Sequence, residues 1–297
     1  MTINSAIHAL AKAVIPSPIW QRMKEKKALR IRKEFISGHV TRVYDQYFRP
    51  SVERIFPVMF ASGELHNFTY DLTDGNLAYL AEILSFATGR PWQELTAYIV
   101  EAMDDQDLRK AAQTPEQFRC NFGRRLGWYA MVRATKPRIV VETGVERGHG
   151  ALVLCAALLR NSAEGAPGRY IGTDIAPKAG ELLKGKYAQA GGVIVGDSIT
   201  TLERLDQKIN LFINDSDHSA DYEYREYQTI LDKLTPQAII LGDNAHATDR
   251  LIRFSRETGR QFLFFREEPR DHWYPGAGIG ISFPLRTDLP EPDMRSN

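Results

Sequence analysis

The sequence holds two cysteines, Cys120 and Cys155, too few for a disulfide framework or a cysteine-rich zinc site. Free thiols suit a reducing cytoplasm, which is the expected location. No apolar run approaches the ~20 residues that span a bilayer. The stretch Ala6–Ile15 is broken by His8 and Lys12 and followed by Pro16 and Pro18, which makes a poor signal peptide. Neither charge is in excess: 38 Lys+Arg face 37 Asp+Glu in 297 residues, so the whole molecule is no electrostatic lure for nucleic acid. Internal repeats and low-complexity segments are missing as well. What remains is ordinary globular composition, 43% hydrophobic and 10% aromatic, which argues against disorder. The length leaves room for two domains of ~150 residues, or one large α/β domain with an extension.

Charge is unevenly placed. Residues 1–50 hold ten Lys/Arg and three Asp/Glu, densest over Arg22–Lys33. Such an arm can meet an anionic membrane surface or an acidic partner, or be a solvated helix face. From about 50 to 135 the spacing is helical. Leu77, Leu80, Ile83 and Leu84 recur at three and four residues, with Gly89 as a stop. Pro91 suits the first turn of a helix carrying Leu95, Ile99 and Met103. Thr114-Pro-Glu-Gln117 reads as a capping box for a helix through Phe118, Leu126, Tyr129 and Val132.

After Pro137 the period changes. Strand-like runs at Ile139–Glu142, Tyr170–Asp174, Gly192–Val195, Leu211–Asn214, Ala238–Leu241 and Phe262–Phe265 alternate with helix-like segments at Ala151–Arg160, Lys178–Ala190, Ser198–Leu205, Tyr222–Leu234 and Thr248–Thr258. Gly278–Phe283 adds a last strand, and the tail from Arg286 is expected to be loose. The alternation predicts an α/β core with a mostly parallel sheet and helices on both faces. We divide the chain into a helical amino-terminal extension, 1–125, and an α/β core, 126–297.

The first core strand runs into Glu142-Thr-Gly144-Val-Glu-Arg-Gly148-His-Gly150. Glycines there let backbone approach a ligand and present N–H groups at a helix start. Glu142, two residues before the first glycine, suits a ligand with a cationic end and would repel a pyrophosphate. Asp174 closes the second strand, where a carboxylate can accept both hydroxyls of a ribose. Asp197, before Ser198, follows the third and could accept from an adenine amine. Each acid is also a plausible helix cap. A dinucleotide fingerprint needs G-x-G-x-x-G directly after the strand; here the first spacing is G-x-x-x-G, with Val153 where the last small residue belongs.

This pattern resembles the class I S-adenosylmethionine-dependent methyltransferases. Arg138-Ile-Val-Val-Glu-Thr-Gly-Val-Glu-Arg-Gly148 is similar to the first motif of a bacterial branch that reads V-V-E-T-G-V-x-x-G. That branch also carries Asp-Gly-Asp-His after the fourth strand, where this chain has Asp215-Ser-Asp-His218. The resemblance covers about 135–285. It implies a Rossmann-like sheet of seven strands, the last antiparallel, and S-adenosylmethionine as cofactor. It also implies cofactor contacts from Glu142, Thr143, Gly144, Gly148, Asp174, Asp197, Ser198 and Asp215.

A second constellation lies at later strand ends. Asp215 follows the fourth strand, and Asp243-Asn244 follows the fifth. Hard ions such as Mg²⁺ take oxygen ligands, and a bound ion acidifies and positions a hydroxyl nucleophile. Asp215, Asp243 and Asn244 resemble the metal set of catechol-type O-methyltransferases. Those enzymes place a lysine base three residues after the first ligand; here that position is His218, and imidazole suits proton abstraction near neutrality. The same residues can instead be helix caps and turns. His246 is a weaker candidate ligand or base, and His149 reads as structural.

The expected function is metal-assisted O-methylation of a small hydroxylated molecule such as a sugar or secondary metabolite. His218 and Asp215 are the candidate catalytic residues, and Asp271–Gly276, with Trp273 and Tyr274, is expected to wall the substrate. The other readings are metal-independent methylation with His218 as base, and a non-catalytic cofactor-binding protein docked by its basic arm. The expected partners are the small acceptor, a membrane surface for the arm and a second copy of the chain through the helical extension. Nucleic acid is not expected, because no basic patch lies within the core motifs.

Overall fold

A computed structural model describes residues 16–49, 53, 70–113 and 121–285. The Ala6–Ile15 stretch, the Thr114 capping box, Cys120 and the tail from Arg286 lie outside these residues. Two compact units divide the chain, Met1–Ala61 and Ser62–Asn297. In the first, α1 (Ser17–Val43) begins with Pro18 in its first turn and runs on through the wider turn Tyr44–Phe48. It carries the basic stretch and buries none of its residues. No helix among the described residues is long and apolar enough to cross a membrane.

The second unit starts with helices. In α2 (Asp74–Thr88) the Thr73 hydroxyl accepts from the Asn76 N–H, and Gly89 closes the far end in the left-handed region. Pro91 precedes α3 (Trp92–Asp104), and Asp105 caps α4 (Gln106–Ala111) through the Leu108 N–H. Next comes α5 (Arg125–Thr135), ten of whose residues are buried. These helices fold with the sheet: Leu80, Leu84, Leu95 and Trp128 share one core with Leu154 and Ile279. The unit that holds the sheet thus begins well before residue 126.

The α/β part follows in order: β1 (Ile139–Thr143), α6 (His149–Ala163), β2 (Arg169–Asp174), β3 (Gly191–Val195), α7 (Ser198–Glu203), β4 (Ile209–Asn214), α8 (Ala220–Ile230), β5 (Leu234–Gly242), α9 (Arg250–Glu257), β6 (Arg260–Arg266) and β7 (Gly278–Pro284). The sheet order is β3-β2-β1-β4-β5-β7-β6, with β7 antiparallel to both neighbours. This is the seven-stranded, Rossmann-like methyltransferase sheet that the resemblance implied. Central β1 and β4 are buried on both faces, which is why they read as unbroken apolar runs.

One segment departs from expectation. Lys178–Ala190 is not a helix but a chain of turns with one short 3₁₀ stretch, Tyr187–Gln189. Leu182, Leu183 and Tyr187 have helical spacing, but Gly180 and Gly185 sit at φ 75° and 58°, which breaks the helix twice. The turns brace the glycine loop instead: the Gly180 and Leu182 N–H groups donate to the Glu146 and Arg147 carbonyls at 2.7 and 3.0 Å.

Candidate active site

Strand order reverses between β1 and β4, and open α/β sheets take ligands above the carboxyl ends at such a point. A cavity of about 580 Å³ opens there. Register brings the tips level: Thr143 pairs with Thr173 and Asn214, and Asn214 with Gly242. The residues just beyond those tips therefore converge. Gly144, Asp174, Asp197, Ser198, Asp215, His218 and Asp243 all line the cavity.

Gly144 has φ 78°, and a Cβ built on it would lie 2.0 Å from the Asp215 carbonyl oxygen. Only glycine lets the β1 and β4 loops pass this closely. The contact is locked by Gly144 N–H donating to the Thr173 carbonyl at 2.9 Å and Asp215 N–H donating to Thr143 at 3.0 Å. Asp174 accepts from the Glu146 and Ala176 N–H groups at 2.8 and 2.7 Å, which fixes its carboxylate while leaving lone pairs open. Asp197 caps α7 through the Thr200 N–H at 2.8 Å, and that bond, with the Tyr222 hydroxyl at 2.7 Å, holds its carboxyl below the ordinary range. Capping and cavity lining are thus compatible at this residue.

Three predicted cofactor residues do not line the cavity. Glu142 is 1% exposed beneath the loop, where it accepts from the Tyr170 hydroxyl at 2.5 Å. Thr143 is buried and donates to Glu226. Gly148, at φ 100°, lets the loop pack on Gly180. Burial pushes the Glu142 carboxyl up from 4.5 to about 8, only partly opposed by the Tyr170 hydrogen bond and Arg125. An acid raised in the fold ionises first in the unfolded chain, so stability falls as pH climbs from about 4.5 to about 8. Glu142→Gln keeps the shape and removes the titration. It should match wild type at pH 5 and gain about 3 kcal/mol relative to it by pH 8 in urea denaturation.

Asp215 and Asp243 also line the cavity, close enough for their charges to act on each other. Burial and the Asp243 charge push Asp215 well up. Burial would raise Asp243 too, but Arg124 holds it down, so Asp243 is the ionised partner. Both Asp243 oxygens accept from Arg124, at 2.5 Å from Nε and 2.8 Å from Nη2. Arg125 also lines the cavity, stacked over the Trp128 ring at 5.6 Å. His218 is exposed on the lining loop, beside Asp217. The Asn244 amide has no hydrogen-bond partner among the described residues, but it is fully buried and outside the lining.

This donor set does not fit a hard divalent ion. Arg124 engages both oxygens of Asp243, and a second guanidinium lies close by. Among the described residues no group of three or more His, Cys, Asp or Glu side chains is arranged to hold one. His246 bonds back to the Asp243 carbonyl at 3.0 Å, outside the lining, and His149 is buried at the start of α6 with burial pulling it down to about 3. The aromatic loop is not in the lining but packs behind it: His272 and Tyr274 lie 5.3 and 5.5 Å from the Tyr70 ring, whose hydroxyl accepts from Arg124.

Two features escaped the sequence reading. Arg124 and Arg125 open α5, at the positive end of the helix dipole, where cations are disfavoured; a helix read from Thr114 through Val132 put both in mid-helix and hid that signal, whereas residues 121–124 are not helical. Glu226, on α8, accepts from the Thr143, Ser198, Asn214 and Ser216 side chains and so ties the ends of β1 and β4 to the start of α7. No local pattern announces it.

Residues 141–245, about a third of the chain, match a family described as a methyltransferase domain. No curated protein matches the chain. Among solved structures, the chain is similar to an O-methyltransferase from Streptomyces achromogenes involved in tomaymycin synthesis, in complex with S-adenosylmethionine. The identity is 15%, covering 64% of this chain and 96% of that one, with a TM-score of 0.45. A Podospora anserina methyltransferase bound to S-adenosylhomocysteine is 17% identical over 74% of this chain and 100% of that one, TM-score 0.42. An O-methyltransferase from Bacillus cereus, in complex with S-adenosylhomocysteine, is 13% identical over 69% and 97%, TM-score 0.38. Residues 141–245 are thus similar to a methyltransferase domain, and the strand order and the acid-tipped cavity agree with that likeness.

Proposed function

We propose that the protein is an S-adenosylmethionine-dependent methyltransferase acting on a hydroxyl of a small molecule. The observation that carries this reading is the convergence of Asp174, Asp197 and Asp215 around the Gly144 turn in one cavity. In this reading Asp174 receives the ribose hydroxyls, and Asp197, with Ser198 beside it, receives the adenine end. When bound, the cofactor supplies a methyl group on a sulfonium, which an oxygen nucleophile displaces in line. His218 takes the hydroxyl proton and, being exposed, returns it to solvent. Asp215 lies between the Gly144 turn and the acceptor end, where its carboxyl orients the hydroxyl.

The experiment is calorimetry with S-adenosylhomocysteine. The wild-type chain should bind it, and Asp174→Ala should weaken binding about 10- to 100-fold, the worth of charge-assisted hydrogen bonds to a ribose. No heat with the wild-type chain would overturn the assignment.

A further inference from the structure

The position where an ion was expected holds a guanidinium, and the inference drawn from it rests on the methyltransferase reading. Arg124 is 5% exposed and lines the cavity. Its Nε and Nη2 donate to the two oxygens of Asp243. Its Nη1 donates to the Tyr70 hydroxyl at 2.8 Å and to Glu267 Oε1 at 3.0 Å. The frame is closed by the Tyr70 hydroxyl donating to Glu267 Oε2 at 2.6 Å and the Ala277 N–H donating to Glu267 Oε1 at 2.7 Å. Glu267 is fully buried. Two carboxylates therefore hold one cation at a helix start that would otherwise repel it.

A guanidinium has five N–H donors in a fixed plane. Four are committed in this frame, and the remaining Nη2–H has no partner among the described residues. We propose that Arg124 is the built-in cation of the acceptor site: its guanidinium takes the place of a divalent ion at Asp243, and its uncommitted Nη2–H binds the acceptor's oxygen. The two cations act differently. An ion with open positions favours acceptors that offer two neighbouring oxygens, and it strongly acidifies a bound hydroxyl. One fixed N–H orients a single oxygen and stays charged at every working pH. The substrate class is therefore one with an isolated hydroxyl, and its proton must leave through a side-chain base.

The test is Mn²⁺ titration of the full chain, followed by electron paramagnetic resonance, in parallel with S-adenosylhomocysteine calorimetry. Wild type should retain no Mn²⁺, and its cofactor-product affinity should be the same with chelator as without. Arg124→Met, which frees the Asp243 carboxylate beside Asp215 on the cavity lining, should hold Mn²⁺ through these two carboxylates and water, at least about tenfold more tightly than wild type. One Mn²⁺ bound per wild-type chain and lost in Asp243→Asn would overturn the proposal. So would a folded Arg124→Met chain that gains no Mn²⁺. If that variant fails to fold, the comparison of wild type with Asp243→Asn decides alone. Loss of S-adenosylhomocysteine binding in wild type would defeat the methyltransferase reading; Mn²⁺ binding with that affinity intact defeats only the role of Arg124.

Discussion

Gly144→Ala should abolish S-adenosylhomocysteine binding, with affinity falling at least ~100-fold. The added Cβ would meet the Asp215 carbonyl oxygen at 2.0 Å and the Ser216 Cα at 2.5 Å. Backbone faces backbone there, so no side chain can swing aside. The loops after β1 and β4 must separate, and with them the Gly144–Thr173 and Asp215–Thr143 hydrogen bonds that set the cavity floor. Stability should drop by about 2–4 kcal/mol. Gly165→Ala is the matching control. Gly165 has a similar φ of 83°, yet nothing lies within 4 Å of a Cβ built on it. It should cost only the strain of the left-handed backbone, about 1 kcal/mol, and leave binding unchanged. Calorimetry and thermal denaturation on the two variants separate steric contact from backbone strain. Wild-type affinity in Gly144→Ala would mean that the turn does not form the ligand floor.

What was legible followed from local periodicity. All seven strands were readable as short apolar runs, and for β1 and β4 the cause is burial on both faces. The acids at the ends of the parallel strands were readable as well, since parallel register carries the tips of β1 to β5 to the same edge. Direction of a side chain was not. Glu142 belongs to the glycine motif yet points beneath it to Tyr170, and no spacing distinguishes above from below at a strand end. Partners remote in sequence were hidden too. Arg124 meets Asp243 across 119 positions, and a ligand set inferred from Asp215, Asp243 and Asn244 could not include the cation bonded to Asp243. Lys178–Ala190 shows the limit of apolar spacing, which two glycines at positive φ outweighed.

The second large effect is expected at Glu226. Glu226→Ala should destabilise the chain by about 4 kcal/mol at pH 5, because the Thr143, Ser198 and Ser216 hydroxyls and the Asn214 amide lose their common acceptor in a buried site. Ser198 and Ser216 also line the cavity, so S-adenosylhomocysteine binding should weaken about tenfold. The pH dependence has an unusual sign. Burial raises the Glu226 carboxyl from 4.5 to about 7 against the pull of its hydrogen bonds to Ser198, Ser216 and Thr143. Wild type therefore gives up stability as pH rises from about 4.5 through about 7, and the alanine variant has no such group to lose. The destabilisation should shrink by about 2 kcal/mol between pH 5 and pH 8 in urea denaturation. Glu142 titrates in both chains and cancels from the difference. A destabilisation that grows with pH would show that the four donors outweigh burial and that Glu226 is ionised in the fold throughout. Glu226→Gln discriminates further. It offers one acceptor oxygen and places an amide donor among donors, so a hub that works by accepting should be only partly rescued by it.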